Sequence, residues 1–360
     1  MSATVPPSLP GLPSGGGGAP RAPSTNRLGL TVKDYGGAPS TLCNGCGHDA
    51  ITAALTHAIW EDGMNPYKIA KMSGIGCSSK TTAYFVGKAW GFNAVHGRMP
   101  SVATGAVLAN HTLNMVGVSG DGDTASIGVG QFVHAIRRNL PIVYVVENNG
   151  VYGLTKGQFS ATAEKGAKSR WGDENFAEGI DLCGLALELG ATFVARSFSA
   201  DRKQLIPLLR AALRHRGTAV VDIISPCVTF NNHEASTKSY DWGKEHEEQI
   251  HEIGFVNPWD APPVDYPEGE RIEVPMPNGG TILLRKLGID HDPRNRESAL
   301  QLINKSRAQH EFLTGLFFID EKAPTLIDGL DMVEEPLATL PQSVTRPPKS
   351  VLDAVMDSFR

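Results

Sequence analysis

Leu113-Asn114-Met115-Val116-Gly117-Val118-Ser119-Gly120-Asp121-Gly122-Asp123 is a short apolar run, rich in valine, that stops on alternating glycine and aspartate. An apolar run of this length bounded by turn residues reads as a buried strand, and ASIGVGQFVHAIRRN after it has helical spacing. PIVYVVENNG (141–150) repeats the arrangement, a second buried strand closing on an Asn-Asn-Gly turn. Further out, ATFVARS (191–197) and AVVDIIS (219–225) predict two more strands. Helical segments are expected at 176–190 and 201–215, and an amphipathic helix over 48–60. Strands alternating with helices define an α/β fold, a parallel sheet flanked by helices. Ligands of such sheets gather beyond the carboxyl ends of the strands, so the loops at 120–124, 147–158 and 225–233 are where a site is expected.

Composition sets the limits. The first 25 or so residues are Pro, Gly and Ser with almost no large apolar side chain; they predict a disordered tail over 1–26 and lack the apolar stretch of a signal peptide. An ordered cofactor-binding domain is expected over 27–255. From about 241 the chain turns polar and turn-rich, with a hairpin at IEVPMPNGGTILLRKL and a short terminal amphipathic helix. Residues 256–360 are therefore expected to be a small C-terminal extension that packs on a partner subunit. A net charge of −5 with dispersed signs argues against a nucleic-acid-binding face, and no apolar run approaches the about 20 residues of a spanning helix. Five cysteines are too few for a disulfide scaffold in a chain of 360 residues, and the expected setting is the cytoplasm.

Two pieces of the sequence carry chemistry. Gly120-Asp121-Gly122-Asp123 and Asn148-Asn149-Gly150-Val151-Tyr152 both fall at strand ends. Glycines let backbone N–H groups approach a diphosphate, and the following helix turns its positive end towards it. A hard cation such as Mg²⁺ wants oxygen ligands, which Asp121, Asn149 and a loop carbonyl can supply. Without the second loop, Gly-Asp-Gly reads equally well as an ordinary turn. The other piece is a CxxC pair, Cys43 and Cys46, with Cys77 in SGIGCSSK and Cys227 after the strand at 219–225. Spacing alone leaves structural zinc, a redox dithiol and an iron–sulfur cluster open. Cys183, on an apolar helix, reads as core.

The two-loop pattern, with 28 positions between Asp121 and Asn149, resembles the thiamine-diphosphate motif. More broadly, TLCNGCGH, GIGCSS, HGRMPSVATG, GDGD, NNGVYGLTKGQ and SPC, in that order over roughly 38–255, resemble the β subunit of 2-oxoacid:ferredoxin oxidoreductases, most of all the 2-oxoglutarate type (2-oxoglutarate synthase). The resemblance implies Mg²⁺ ligation by Asp121, Asn149 and the Val151 carbonyl, and a [4Fe–4S] cluster on Cys43, Cys46, Cys77 and Cys227. It implies thiamine diphosphate contacts from Ile75, Gly76, Cys77, Ser78, His96, Gly122 and Asp123, and from Gly153, Leu154, Thr155, Lys156, Gly157 and Gln158. His96, which alone would read as a buried hydrogen-bonded histidine, becomes the candidate catalytic residue.

The implied reaction is oxidative decarboxylation of a 2-oxoacid to its acyl-CoA and CO₂. Thiamine diphosphate supplies the electron sink, the cluster passes single electrons to ferredoxin, and coenzyme A collects the acyl group. The chain lacks the glutamate-bearing pyrimidine domain such enzymes need, which implies an α subunit in an αβ or α₂β₂ assembly. For the substrate, Lys80 and Lys156 are candidates to hold the distal carboxylate of 2-oxoglutarate, with Leu154 on the pocket wall; the bland reading has both lysines solvated or serving the diphosphate. A pyruvate- or branched-chain-specific relative and a non-catalytic zinc-stabilised module are the alternatives. A dinucleotide-binding enzyme is disfavoured, because no GxGxxG follows a first strand.

Overall fold

A computed structural model describes residues 24–169, 171–225, 227–229, 265–275, 281–288, 290–309 and 311–360. The Pro/Gly-rich segment up to residue 23, most of the loop at 225–233 and the polar stretch from 241 to 264 lie outside the described residues.

In chain order the first half is α1 (Gly47–Glu61), β1 (Ile69–Ser73), α2 (Cys77–Tyr84), β2 (Trp90–Asn93), α3 (Met99–Ala109), β3 (Asn114–Gly120), α4 (Val129–Arg137) and β4 (Ile142–Asn148). A small hairpin follows, β5 (Val151–Tyr152) with β6 (Gln158–Phe159). Then come α5 (Leu182–Glu188), β7 (Phe193–Phe198), α6 (Arg202–Arg214) and β8 (Thr218–Ile224). The C-terminal part adds β9 (Arg271–Pro275), β10 (Thr281–Lys286), α7 (Arg296–Ala308), β11 (Phe312–Ile319) and, after two single helical turns, α8 (Lys349–Asp357).

Nine strands form one sheet in the order β2-β1-β3-β4-β8-β7-β11-β10-β9. The run from β2 to β7 is parallel throughout; β11 joins β7 antiparallel, and β9 pairs antiparallel with β10. Alternation along the central strands feeds two cores. On β4, Ile142, Tyr144 and Val146 face a layer containing Phe132 of α4 and Met99 of α3, while Val143 and Val145 face Leu55 of α1 and Leu209 of α6. A central strand buried on both faces needs apolar residues at every position, which is why this stretch was readable from sequence.

The change of composition near 255 does not mark the edge of the sheet. β11 extends it, Ala299 and Ile303 of α7 lie in the same core as β3 and β4, and Lys286 on β10 reaches Asp201 at 3.2 Å. The described residues between 271 and 319 thus belong to the same sheet and core. Helix α5 is shorter than the helical pattern at 176–190, starting where Asp181 accepts a bond from Gly184 N at 2.8 Å.

From β1 the chain moves to β2 on one side, and from β3 onwards it builds on the other. The order reverses between β1 and β3, and the loops after β1, β3 and β4 meet at the carboxyl ends there, where an open parallel sheet takes its ligands.

Candidate functional site

A cavity of about 270 Å³ opens at this reversal point. Its wall is made by 75–78 after β1, by His96, by 120–123 after β3, and by Asn149 and 151–155 after β4, with His48 and Glu147 at its base.

The aspartate side is densely braced. Gly120 ends β3, and residues Gly122–Ile127 form one π-helical turn before α4, a widening that concentrates at functional sites. Asp121 is buried; its Oδ1 accepts from Asn149 N at 3.2 Å and its Oδ2 from the hydroxyls of Ser160 and, at 2.6 Å, Thr162. Burial nevertheless pushes its carboxyl above the usual range, against the pull of those three donors. A buried carboxylate that its neighbours only partly stabilise, next to an amide oxygen on Asn149, is a donor set that fits a divalent cation. Asn149 Oδ1 accepts from Val151 N at 3.0 Å, which fixes its orientation and leaves the amide oxygen a second lone pair. Gly122 is required here by close approach: a Cβ would stand 2.6 Å from the Tyr152 ring, whose hydroxyl donates to Gly122 O at 3.0 Å. Asp123 Oδ1 accepts from Gly97 N at 2.7 Å and Oδ2 from Ser119 at 2.8 Å, so its carboxylate braces the turn carrying His96.

The cysteine side is different in kind. Cys46 is the residue before α1, Cys77 opens α2 and Cys227 follows β8, while Cys183 is buried in the core. Two helix N-termini therefore point partial positive charge at the thiols. A Cβ on Gly153 would be 3.4 Å from Cys77 Sγ and 3.7 Å from Cys227 Sγ, so the hairpin loop runs beside both sulfurs. Burial pushes the Cys77 thiol up to about 11, with Cys227 and Cys43 adding to the rise and Lys80 opposing it; Cys46 is pushed higher still, again mainly by burial. Four free thiols, two of them, Cys46 and Cys77, raised by desolvation, fit a metal cluster that would hold them as thiolates. Among the described residues no three such side chains close on a single-ion geometry.

His48 and Glu147 were not among the expected site residues. His48 Nδ1 lies 3.3 Å from Glu147 Oε2 without hydrogen-bond alignment, and Thr81 donates to the same carboxylate oxygen at 2.9 Å. Burial lowers the His48 imidazole to about 4 and raises the Glu147 carboxyl well above the usual carboxylate range. Glu147 carried a signal, a lone charge in the apolar run VYVVEN; His48 carried only its place after Cys46.

Of the other expected residues, Ile75, Gly76, Cys77, Ser78, Gly153, Leu154 and Thr155 line the cavity. His96 does too, as an exposed residue at its rim rather than a buried one. Lys80 sits one turn into α2, Lys156 and Gly157 lie on the β5–β6 turn and Gln158 opens β6; none of the four belongs to the wall of this cavity. Lys156 is exposed and has a φ of 81°, a left-handed conformation that a lysine rarely adopts.

The profile of the thiamine pyrophosphate enzyme C-terminal TPP binding domain matches residues 74–223, the span from the β1 loop to β8. The β subunit of a 2-oxoacid:ferredoxin oxidoreductase from Saccharolobus solfataricus is 40% identical over 227 residues, 63% of this chain and 72% of that one. The chain belongs to the family of 2-oxoacid:ferredoxin oxidoreductase β subunits. Within the family, the 2-oxoglutarate synthase subunit KorB of Methanocaldococcus jannaschii is 35% identical over 53% of this chain and 71% of its own. The solved structure of 2-oxoglutarate:ferredoxin oxidoreductase from Magnetococcus marinus, with 2-oxoglutarate, coenzyme A and succinyl-CoA bound, superposes with a TM-score of 0.69 at 29% identity, over 91% of this chain and 96% of that one. This β subunit thus has the expected α/β fold, and among its described residues no helix is long and apolar enough to cross a membrane.

Proposed function

We propose that this chain is the catalytic β subunit of a cytoplasmic enzyme that oxidatively decarboxylates 2-oxoglutarate to succinyl-CoA and CO₂, passing electrons through a [4Fe–4S] cluster to ferredoxin. An α subunit would complete the thiamine site, with coenzyme A as co-substrate. The observation that carries the reading is the meeting, in one cavity at the sheet's reversal point, of the Asp121–Asn149 pair with the loop of Cys77 and Gly153. Asp121, Asn149 and the Val151 carbonyl would hold Mg²⁺, and Cys43, Cys46, Cys77 and Cys227 the cluster.

Thiamine diphosphate supplies, when bound, the electron sink for decarboxylation. The chain's own residues do the rest. Gly122 lets the backbone approach the diphosphate, and the helix that follows directs N–H groups at it. His96, exposed at the rim and braced through Gly97 and Asp123, is placed to exchange a proton with a group in the cavity. The Gly153 turn, part of the cavity wall, lies beside Cys77 and Cys227, so that the proposed cluster would adjoin the thiamine site.

Lys156 supports the choice of 2-oxoglutarate. Its left-handed backbone costs about 1–2 kcal/mol that glycine would not incur, so a lysine here needs a reason, and a distal carboxylate supplies one. Lys80 is the second candidate cation, and exposed Leu154 a wall for the substrate's methylenes. The test is turnover of the assembled complex on 2-oxoglutarate and pyruvate with ferredoxin as acceptor. Preference for pyruvate would overturn the substrate assignment and leave the cofactor assignment standing.

A further inference from the structure

The two proposed metal ligands come from different loops, Asp121 after β3 and Asn149 after β4, and something must hold them in register. We propose that Asn148 and Thr162 are positioning residues that lock the metal-binding carboxylate of Asp121 to the Asn149 loop, through a relay anchored on the buried Arg196–Asp222 ion pair; this rests on the Mg²⁺ reading above.

Each link is short. Arg196 Nε donates to Asp222 Oδ2 at 2.9 Å and Arg196 Nη2 to Asp181 Oδ1 at 2.7 Å, so the guanidinium is fixed from two elements. Asp222, fully buried on β8, accepts at Oδ1 from Asn148 Nδ2 at 3.0 Å. That bond decides which end of the Asn148 amide faces the other way, and its Oδ1 stands 3.1 Å from Thr162 Oγ1. Thr162 Oγ1 reaches Asp121 Oδ2 at 2.6 Å and Ser160 Oγ at 2.9 Å, and its single proton lies between two acceptors, Asp121 Oδ2 and Asn148 Oδ1, only one of which it can bond fully at a time. Ser225 N donates to Asn148 O at 2.7 Å, holding the same residue to the end of β8.

The consequence for the site is geometric. Asn148 is the residue before Asn149, whose N–H meets Asp121 Oδ1. Asp121 is therefore held at one oxygen by the Thr162 and Ser160 hydroxyls together and at the other by the Asn149 backbone. Both carboxylate oxygens are met by bonds within the chain, which favours one orientation of the carboxylate beside the Asn149 loop. Residues that orient metal ligands in this way typically change metal affinity about 10–100-fold when removed.

The experiment is a Mg²⁺ titration of thiamine diphosphate binding, by calorimetry, to the assembled complex stripped of both. Thr162→Val, which keeps the shape and removes the hydroxyl, should raise the half-saturating Mg²⁺ concentration about 10–100-fold at unchanged iron content. Thr162→Ser restores the hydroxyl and should restore the affinity. Asn148→Ser should resemble Thr162→Val, and the double variant should be no weaker than the weaker single one, because both break one relay. Unchanged affinity in Thr162→Val, failure of Thr162→Ser to rescue, or additive losses in the double variant would overturn the relay. Should Thr162→Val not assemble, Asn148→Ser carries the same titration, and unchanged affinity there would equally overturn it. A wild-type complex that binds thiamine diphosphate without any need for Mg²⁺ would bring down the metal reading and the relay together, an outcome distinct from the failure of the relay alone.

Discussion

At the aspartate end of the cavity, both carboxylate oxygens of Asp121 and of Asp123 are met by donors of this chain. At the cysteine end, His48 Nδ1 and Nε2, Ser78 Oγ and Glu147 Oε1 are buried with no hydrogen-bond partner among the described residues. Buried polar atoms are nearly always paired, so the contrast separates an end whose carboxylates the chain itself holds in place from an end where hydrogen-bonding groups stand unmet beside the cysteines. A hard cation needs its oxygens held at fixed separation, and the polar relay behind Asp121 provides that in advance. A cluster brings its own rigid frame; the chain need only offer thiols from several loops and a desolvated wall.

The largest effect should come from breaking the cysteine end. Serine at Cys43, Cys46, Cys77 or Cys227 should collapse the iron content and lower turnover by more than about 100-fold, whereas Cys183→Ser, deep in the core, should keep its iron. Iron analysis checks this, and full retention in any of the four removes that residue from the ligand set. At the other end, Asp121→Ala removes the residue on which three donors converge. Mg²⁺-dependent binding of thiamine diphosphate should be lost while iron stays, a dissociation of the two ends that calorimetry beside iron analysis would read.

Between the ends lies the hairpin turn. Lys156→Gly should lower kcat/KM for 2-oxoglutarate about 10–100-fold more than for 2-oxobutyrate. The same change should raise the melting temperature, because the left-handed backbone is relieved. Equal losses on both substrates would move Lys156 to a cofactor role. The smallest effect is expected at Glu147. Burial raises its carboxyl well above the usual carboxylate range, and Glu147→Gln keeps an acceptor for Thr81, so the change should alter stability by less than about 1 kcal/mol in thermal melts. A large destabilisation would mean that the group is ionised and paired with His48.

Much of this arrangement was legible in the sequence. Strands β3, β4, β7 and β8 are apolar at successive positions because helices cover both sheet faces, and their ends carry the two motif loops. Strands β1 and β2 were not legible. Ile69-Ala70-Lys71-Met72-Ser73 holds a lysine that reads as surface, yet Lys71 is buried with its ammonium donating to the carbonyls of Thr82 and Phe85 at 2.7 Å each. Trp90–Asn93 is an exposed edge of four residues with no alternation. The relay escaped for another reason: Ser160 and Thr162 lie beyond the hairpin, 39 and 41 positions from Asp121, and no spacing rule joins them. The motif residues stand at strand ends and can be read from local pattern, whereas the residues that orient them are brought in by the fold.

The central claim, one cavity serving a magnesium–diphosphate group on one side and an iron–sulfur cluster on the other, is tested most directly by metal and cofactor analysis of the anaerobically purified complex. The account predicts a brown protein with about four iron and four sulfide per β chain, one thiamine diphosphate and one magnesium, and visible absorbance that bleaches on reduction. A colourless protein with zinc on its cysteines and no diphosphate would contradict it.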